Sequence, residues 1–263
     1  MKATCMPLPG RSPSCWTGAA NTGSVTGATG THTLIDVRRA IQDADGFGVY
    51  GTASGDTFVV RPGGGNGLVT VAGYGGADSY DLTLDGTVRL SVRTGYLASS
   101  DGPSQGAVVD LTRSSDQVQN DGFGNVENII LRNGNGRLEL EGTNNADHMT
   151  GSARNEIFRP RGGNDTLDGG GGTDLVRYDY SGVNGPINVD LAAGTASGIF
   201  DGAAFSQTLR NIEDVRFGRP GSLGNSTFHD MVRGDDGANR LDGSRGSGPA
   251  LIEGRGGNDT LRG

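Results

Sequence analysis

Four acidic residues, Asp147, Glu156, Asp165 and Asp174, stand nine apart, and four large apolar residues, Met149, Phe158, Leu167 and Val176, keep the same beat two positions later. The clearest periods read P-R-G-G-N-D-T-L-D (Pro160 to Asp168) and G-G-G-G-T-D-L-V-R (Gly169 to Arg177), so each carries a glycine-rich turn, one carboxylate and one apolar peg. Carboxylates that recur at one phase beside glycine turns can bind cations. Side chains alternate across a strand, so the acid and the peg two residues on point to one side and the residue between them points away. If two such units form one coil, like turns stack every 18 residues, with Asp147 near Asp165 and Glu156 near Asp174. Bare carboxylates about 5 Å apart repel by about 0.8 kcal/mol in water and about 3 kcal/mol at an effective dielectric of 20. A divalent cation between the turns turns that repulsion into attraction. Calcium suits such a place, because it accepts six to eight oxygens, backbone carbonyls included, in flexible geometry, whereas magnesium holds to a tight octahedron and its waters.

The elements that must position these groups are short strands and turns. Gly162, Gly163, Gly169, Gly170, Gly172, Gly256 and Gly257 supply turn conformations that bring backbone carbonyls toward an ion. A longer unit of about 80 to 90 residues overlies the short one. Val108-Val109-Asp110-Leu111 matches Asn188-Val189-Asp190-Leu191, and Asn125-Val126-Glu127-Asn128-Ile129 matches Asn211-Ile212-Glu213-Asp214-Val215. Ala146-Asp147-His148-Met149 then answers to His229-Asp230-Met231-Val232. An eroded earlier copy holds Gly55-Asp56-Thr57-Phe58 and Gly75-Gly76-Ala77-Asp78-Ser79-Tyr80, with Asp78 and Tyr80 at the places of Asp174 and Val176. The last block, from Asp230 through Asn239 and Leu241 to Gly256-Gly257-Asn258-Asp259-Thr260-Leu261, takes a two-residue insertion around Gly246 to Pro249.

The segments Gly162 to Leu167, Gly169 to Val176 and Gly256 to Leu261 resemble the RTX, or haemolysin-type, calcium-binding nonapeptide. The resemblance covers 147–178 and 229–263, and more faintly 51–81. It implies an all-β protein, a right-handed parallel β-roll or β-solenoid with calcium in its turns and degenerate β-rich segments between, of the kind secreted by bacteria and folded after export into calcium. Carried over position by position, the calcium-ligand acids are Asp147, Asp165, Asp174, Asp230 and Asp259, with Asp56 and Asp78 in the eroded turns, and the turn glycines give carbonyl oxygens. Glu156 is longer than the expected aspartate, Asn239 lacks the charge, and Ala250 occupies an acid position, so those sites should be weak or empty. Relatives of this kind carry an export signal beyond the last repeat, whereas Gly263 falls within one.

The resulting organisation is a flexible lead-in over 1–30, degenerate repeats over 31–145, a nonapeptide block over 146–179, a β-rich connecting segment over 180–228 and a second, interrupted block over 229–263. Within Thr31 to Asp45, Leu34, Val37 and Ile41 fall at helical spacing, so a short helix and an extended segment both remain open there.

Composition narrows the function. Forty-nine glycines in 263 residues, with 33% hydrophobic and 6% aromatic residues, match a periodic architecture better than a conventional core. A net charge of -8 argues against a nucleic-acid partner and for cations. No apolar run of about 18 residues exists to span a membrane, and the residues from Met1 to Gly10 do not read as a secretory signal. Cys5 and Cys15 both lie in the lead-in, outside every repeat, and no function is assigned to them. His32, His148 and His229 form no zinc spacing, no G-x-S-x-G elbow is present, and Gly46-Phe47-Gly48 and Gly73 to Gly76 lack the lysine of a phosphate loop.

The leading expectation is a non-enzymatic, secreted calcium-binding repeat protein whose folding is coupled to calcium, with a structural or carrier role toward cell-surface or polysaccharide ligands. Two alternatives stay open: a non-catalytic part of a secreted enzyme of metalloprotease, lipase or alginate epimerase type, and a calcium-independent β-solenoid adhesin whose Asn and Asp only close tight turns.

Overall fold

In a computed structural model the described residues are 22–27, 30–35, 39–43, 46–50, 55, 57–60, 68–73, 76–83, 87–91, 105–122, 124–132, 136–178, 182–183, 185–217, 229–243 and 250–263. They form strands, turns and bends with no helix among them, so the described part of the chain is all-β. Cys5, Cys15 and Asp56 lie outside the described residues. Within Thr31 to Asp45 the described residues are extended, in the strands Gly30–Ile35 and Arg39–Asp43. Threonine and isoleucine in these strands restrict side-chain rotation in a helix and favour a pleated backbone. A strand, Thr22–Gly27, starts inside the expected lead-in.

The nonapeptides fold into strands of three or four residues: His148–Thr150, Ile157–Arg159, Thr166–Asp168 and Leu175–Tyr178. Consecutive strands fall in different sheets, one of nine strands and one of ten, so each strand pairs in parallel with the next but one. Met149 is level with Leu167 in the nine-stranded sheet, and Phe158 with Val176 in the ten-stranded one. The two sheets are open at their edges, and the strands Ala250–Glu253 and Thr260–Arg262 end them at one side.

The register makes two apolar ladders. In one sheet Val109, Met149, Leu167 and Leu209 follow each other rung by rung. In the other, Leu140, Phe158, Val176, Val215, Leu241 and Leu261 do so. All are buried except Leu261, which is 48% exposed because its strand is at the sheet edge. Each rung buries one large side chain per sheet, at roughly 2 kcal/mol of transfer free energy apiece.

The segment over 180–228 contributes more than a connection. Thr195–Phe200 and Ala203–Arg210 form an antiparallel hairpin, and the end of its second strand lies parallel to Thr166–Asp168, continuing the sheet. Phe200 covers Gly162, where a β-carbon would stand 2.8 Å from its ring. Gly162 is therefore small to admit an aromatic ring. The two-residue insertion is visible in the pairing, since Leu241 aligns with Leu261 and Asp230 with Ala250, both twenty apart.

The long repeat is likewise structural. Val109 pairs with Met149 and Val189 with Val232, and an antiparallel hairpin leaves from each of the two earlier strands. On the outer side of the ten-stranded sheet, fully buried Glu139 accepts from Arg159 at 3.3 Å and Arg177 at 2.9 Å.

Candidate metal centre

The acid positions form two columns of stacked turns. In the first, Asp147 and Asp165 are both buried, and the Asp147 amide donates to Oδ1 of Asp165 at 2.9 Å across eighteen residues. Asp147 repeats the relation downward, accepting from the Ala107 amide at 2.6 Å. In the second column the Glu156 amide donates to Oδ1 of Asp174 at 2.6 Å, and the Asp174 amide to Oε2 of Glu213 at 2.8 Å. The expected neighbours are thus adjacent, but each carboxylate meets the backbone of the rung before it rather than only the next carboxylate.

The turns bring carbonyls close to glycines. Gly163, Gly172 and Gly257 have φ values of 109°, 117° and 94°, a left-handed conformation open to glycine. A β-carbon on them would stand 2.2, 2.3 and 2.1 Å from the carbonyl oxygens of Asn145, Arg154 and Gly237. Gly170 meets the Ser152 carbonyl in the same way at 2.4 Å, and Gly256 lies 3.0 Å from an Asp236 carboxylate oxygen. A further glycine stands five residues ahead of the acid position in Gly142, Gly151, Gly169, Gly234 and Gly254, where a β-carbon would strike the side-chain oxygen of Asp147, Glu156, Asp174, Asn239 or Asp259 within 2.7 Å.

The four acids of the first block are not equivalent. Asp147 is closed by Thr143, whose amide reaches Oδ2 at 2.7 Å and whose hydroxyl reaches Oδ1 at 2.7 Å. Ser152 closes Glu156 likewise, with its hydroxyl at 2.7 Å and its amide at 2.9 Å. Asp165 receives the Gln207 side-chain amide on Oδ2 at 2.6 Å. Only Asp174 among them keeps a buried oxygen, Oδ2, without a hydrogen-bond partner. That atom lies 2.5 Å from the point where a Gly169 β-carbon would stand, and the Asn211 carbonyl oxygen lies 2.0 Å from the same point.

Burial raises the affinity of these acids for protons. It pushes Asp147 up to about 6, against the hydrogen bonds from Thr143 and Ala107 and the charge of Arg161. Burial and then the charge of Asp147 push Asp165 up to about 8. Asp174 rises to about 7 through burial, opposed by the Glu156 amide and Arg137 and reinforced by the charges of Glu156 and Glu213. Burial raises Glu156 as well, offset by Ser152.

No family model matches the chain, and no curated protein sequence matches it either. The chemistry therefore rests on its own residues. Among the described residues no group of three or more His, Cys, Asp or Glu side chains could by itself hold a metal ion. An ion in the array would have to draw on backbone carbonyls as well as one or two carboxylates, a donor set that hard cations accept. Asp174 Oδ2 and the Asn211 carbonyl fit that requirement; the closed carboxylate of Asp147 fits it least.

The remaining expected positions separate in the same way. Asp230 is buried and accepts from the Ile187 amide at 2.8 Å, as Asp147 does from Ala107. Asp259 accepts from the Asn239 amide at 3.0 Å. Asn239 fills an acid position without charge, accepting from the Asp235 amide at 2.8 Å and donating to the Glu213 carbonyl at 3.1 Å. A carboxylate could not make that donation. Asp78 is buried next to Tyr80, whose hydroxyl lies 3.2 Å from its Oδ2. His148 and His229 are exposed.

Sequence reading passed over Thr143, Ser152, Gln207, Glu127 and Glu213. The two hydroxyl caps have a local signal, Ser or Thr four residues before the acid, as in Thr143 and Asp147 or Ser152 and Glu156. Gln207 has none. Glu127 and Glu213 were visible only as markers of the long repeat.

Proposed function

We propose that this chain is a calcium-binding repeat protein in which the ion acts as a structural staple and couples binding to folding. The observation that carries the reading is Asp174 Oδ2, fully buried and without a partner, converging with the Asn211 carbonyl over Gly169. A buried carboxylate oxygen left unpaired costs several kcal/mol unless it is protonated or meets a cation. Asp174 and Asn211 would hold the ion. Calcium supplies the positive charge that lets neighbouring rungs carry ionised acids, while the glycines keep the carbonyls of Asn145, Arg154 and Gly237 close to the next turn.

The finer architecture belongs to the same reading: a right-handed parallel β-roll, supported by eighteen-residue parallel stacking in two sheets. With it go bacterial secretion into a calcium-rich medium, a structural or carrier role without catalysis, and a surface offered to cell-surface or polysaccharide ligands. Among the described residues no helix is long and apolar enough to cross a membrane.

Isothermal titration of calcium into chelator-stripped protein tests the binding claim, with magnesium as the control. Saturable calcium uptake that magnesium does not reproduce is expected; no calcium heat would sink the reading. One finding favours a second reading, an ion-independent β-solenoid: protein groups, Thr143, Ala107, the Asp147 amide and Gln207, close Asp147 and Asp165. That reading predicts the same fold with and without calcium.

A further inference from the structure

We propose that the two junctions where a nonapeptide turn meets an Asn-apolar-Glu segment, Asp174 with Glu213 and Asp78 with Glu127, are divalent-cation sites in which a glutamate from outside the nonapeptide joins the turn acid. The proposal rests on the calcium reading and narrows it to two places, with two glutamates as new ligands.

Register makes the junctions equivalent. Ser79 pairs with Asn128 and Leu175 with Asp214, so Asp78 stands beside Glu127 as Asp174 stands beside Glu213. The same backbone bond closes each: the Asn128 amide donates to the Asp78 carbonyl at 3.1 Å, and the Asp214 amide to the Asp174 carbonyl at 2.9 Å. Both aspartates press on a glycine five residues back, where a β-carbon on Gly73 or Gly169 would stand 1.6 or 2.5 Å from Oδ2. Each half of the long repeat has thus built the same pocket.

Each junction holds one buried carboxylate oxygen with no hydrogen-bond partner, Oε2 of Glu127 and Oδ2 of Asp174, and among the described residues no other carboxylate does. Glu127 is 2% exposed and Asp174 fully buried, so water does not compensate them. At the earlier junction the Tyr80 hydroxyl lies 3.2 Å from Asp78 Oδ2 and 3.3 Å from Glu127 Oε1. A phenol has one proton to give, to Asp78 or to Glu127, and Glu127 Oε2 accepts from no group. A cation between the two acids would meet that oxygen. At the later junction Val176 replaces that phenol, and the Asn211 carbonyl is the added oxygen near Asp174. Two acidic side chains with carbonyl or phenol oxygens form an oxygen-only donor set, which suits calcium. The first turn column, by contrast, is closed by Thr143 and Gln207 and needs no ion.

The test uses the full chain, stripped by chelator and titrated with calcium alone, and compares Glu213→Gln, Glu127→Gln and Asp165→Asn with the parent. Each glutamine variant should lose one calcium ion from the stoichiometry, the double variant two, and Asp165→Asn none. Circular dichroism and thermal melts add a signature that mere structural damage would not give: in chelator the glutamine variants hold more β signal than the parent, because the like charge facing Asp174 or Asp78 is gone, and in calcium they melt below it. Glutamine variants that keep the parental stoichiometry overturn the junction sites while leaving the calcium reading intact. A parent chain that takes up no calcium overturns both. Terbium in place of calcium needs no carboxylate variant: tyrosine-excited emission should drop sharply in Tyr80→Phe, and unchanged emission overturns the earlier site.

Discussion

The backbone amide of Asp147 donates to Oδ1 of Asp165 at 2.9 Å, from one rung to the next eighteen residues on. The same bond joins Glu156 to Asp174 and, across twenty residues, Asn239 to Asp259. One carboxylate oxygen of each accepting acid is therefore part of the backbone ladder, which leaves the other to a side chain, as Gln207 at Asp165, or to an ion. The consequences divide between the ladder and that second oxygen.

Without calcium, stability should fall as pH rises. Asp165 and Asp174 are raised to about 8 and about 7, chiefly by burial, above the ordinary carboxylate range of their unfolded forms. The folded chain thus binds more protons than the unfolded one between roughly pH 4 and 8, and the slope of unfolding free energy against pH is negative there. The stabilisation is full below the unfolded value and lost as pH climbs through the folded one. In chelator the folded fraction, read as β signal in far-UV circular dichroism, should be larger at pH 5 than at pH 8.5; the opposite order would show that these acids are not buried as described.

Gly172→Ala and Gly202→Ala should part company. Both residues have positive φ, 117° and 81°, but a β-carbon at Gly172 meets the Arg154 carbonyl at 2.3 Å whereas at Gly202 nothing lies within 4 Å. The Gly202 change should cost only the left-handed penalty, about 1 kcal/mol. Gly172→Ala should cost several times that, because the stacked turns must separate. Denaturant melts in saturating calcium measure the difference.

Phe158→Ala should destabilise by about 3 to 5 kcal/mol through loss of buried area and the cavity left between rungs. Phe158 is fully buried between Leu140 and Val176. Leu261→Ala, at a half-exposed position in the same ladder, should cost less than half as much. Equal losses would contradict the placement of the sheet edge.

Glu139→Ala should be costly, about 3 kcal/mol, because it takes a fully buried carboxylate from Arg159 and Arg177, whose side chains are 12% and 16% exposed, and Arg159 keeps the more distant Glu141 at 4.0 Å. Chemical denaturation in calcium reads it, and a loss within 0.5 kcal/mol, as for ordinary surface changes, would show the pair to be solvated.

The nine-residue beat made the stacking legible: it placed Asp147 by Asp165, Glu156 by Asp174, and the pegs Met149 and Leu167 in one ladder. A periodic signal presents its members as equals, and so it hid what distinguishes them. Thr143 and Ser152 differ from glycine by a hydroxyl that closes one acid each. Gln207 and Phe200 reach Asp165 and Gly162 from a hairpin outside the repeat, and a contact across 42 residues, as between Gln207 and Asp165, leaves no mark in local spacing. The match between Asn125 to Ile129 and Asn211 to Val215 was plain as text, but only parallel pairing shows that its glutamates face Asp78 and Asp174.

The most direct test of calcium-coupled folding is far-UV circular dichroism of the full chain, first in chelator and then through a calcium titration. We expect a largely unfolded spectrum that converts cooperatively to a β spectrum as calcium is added and reverts with chelator, because each rung buries too few apolar side chains to offset chain entropy unaided. An identical β spectrum in chelator and in calcium would contradict the account.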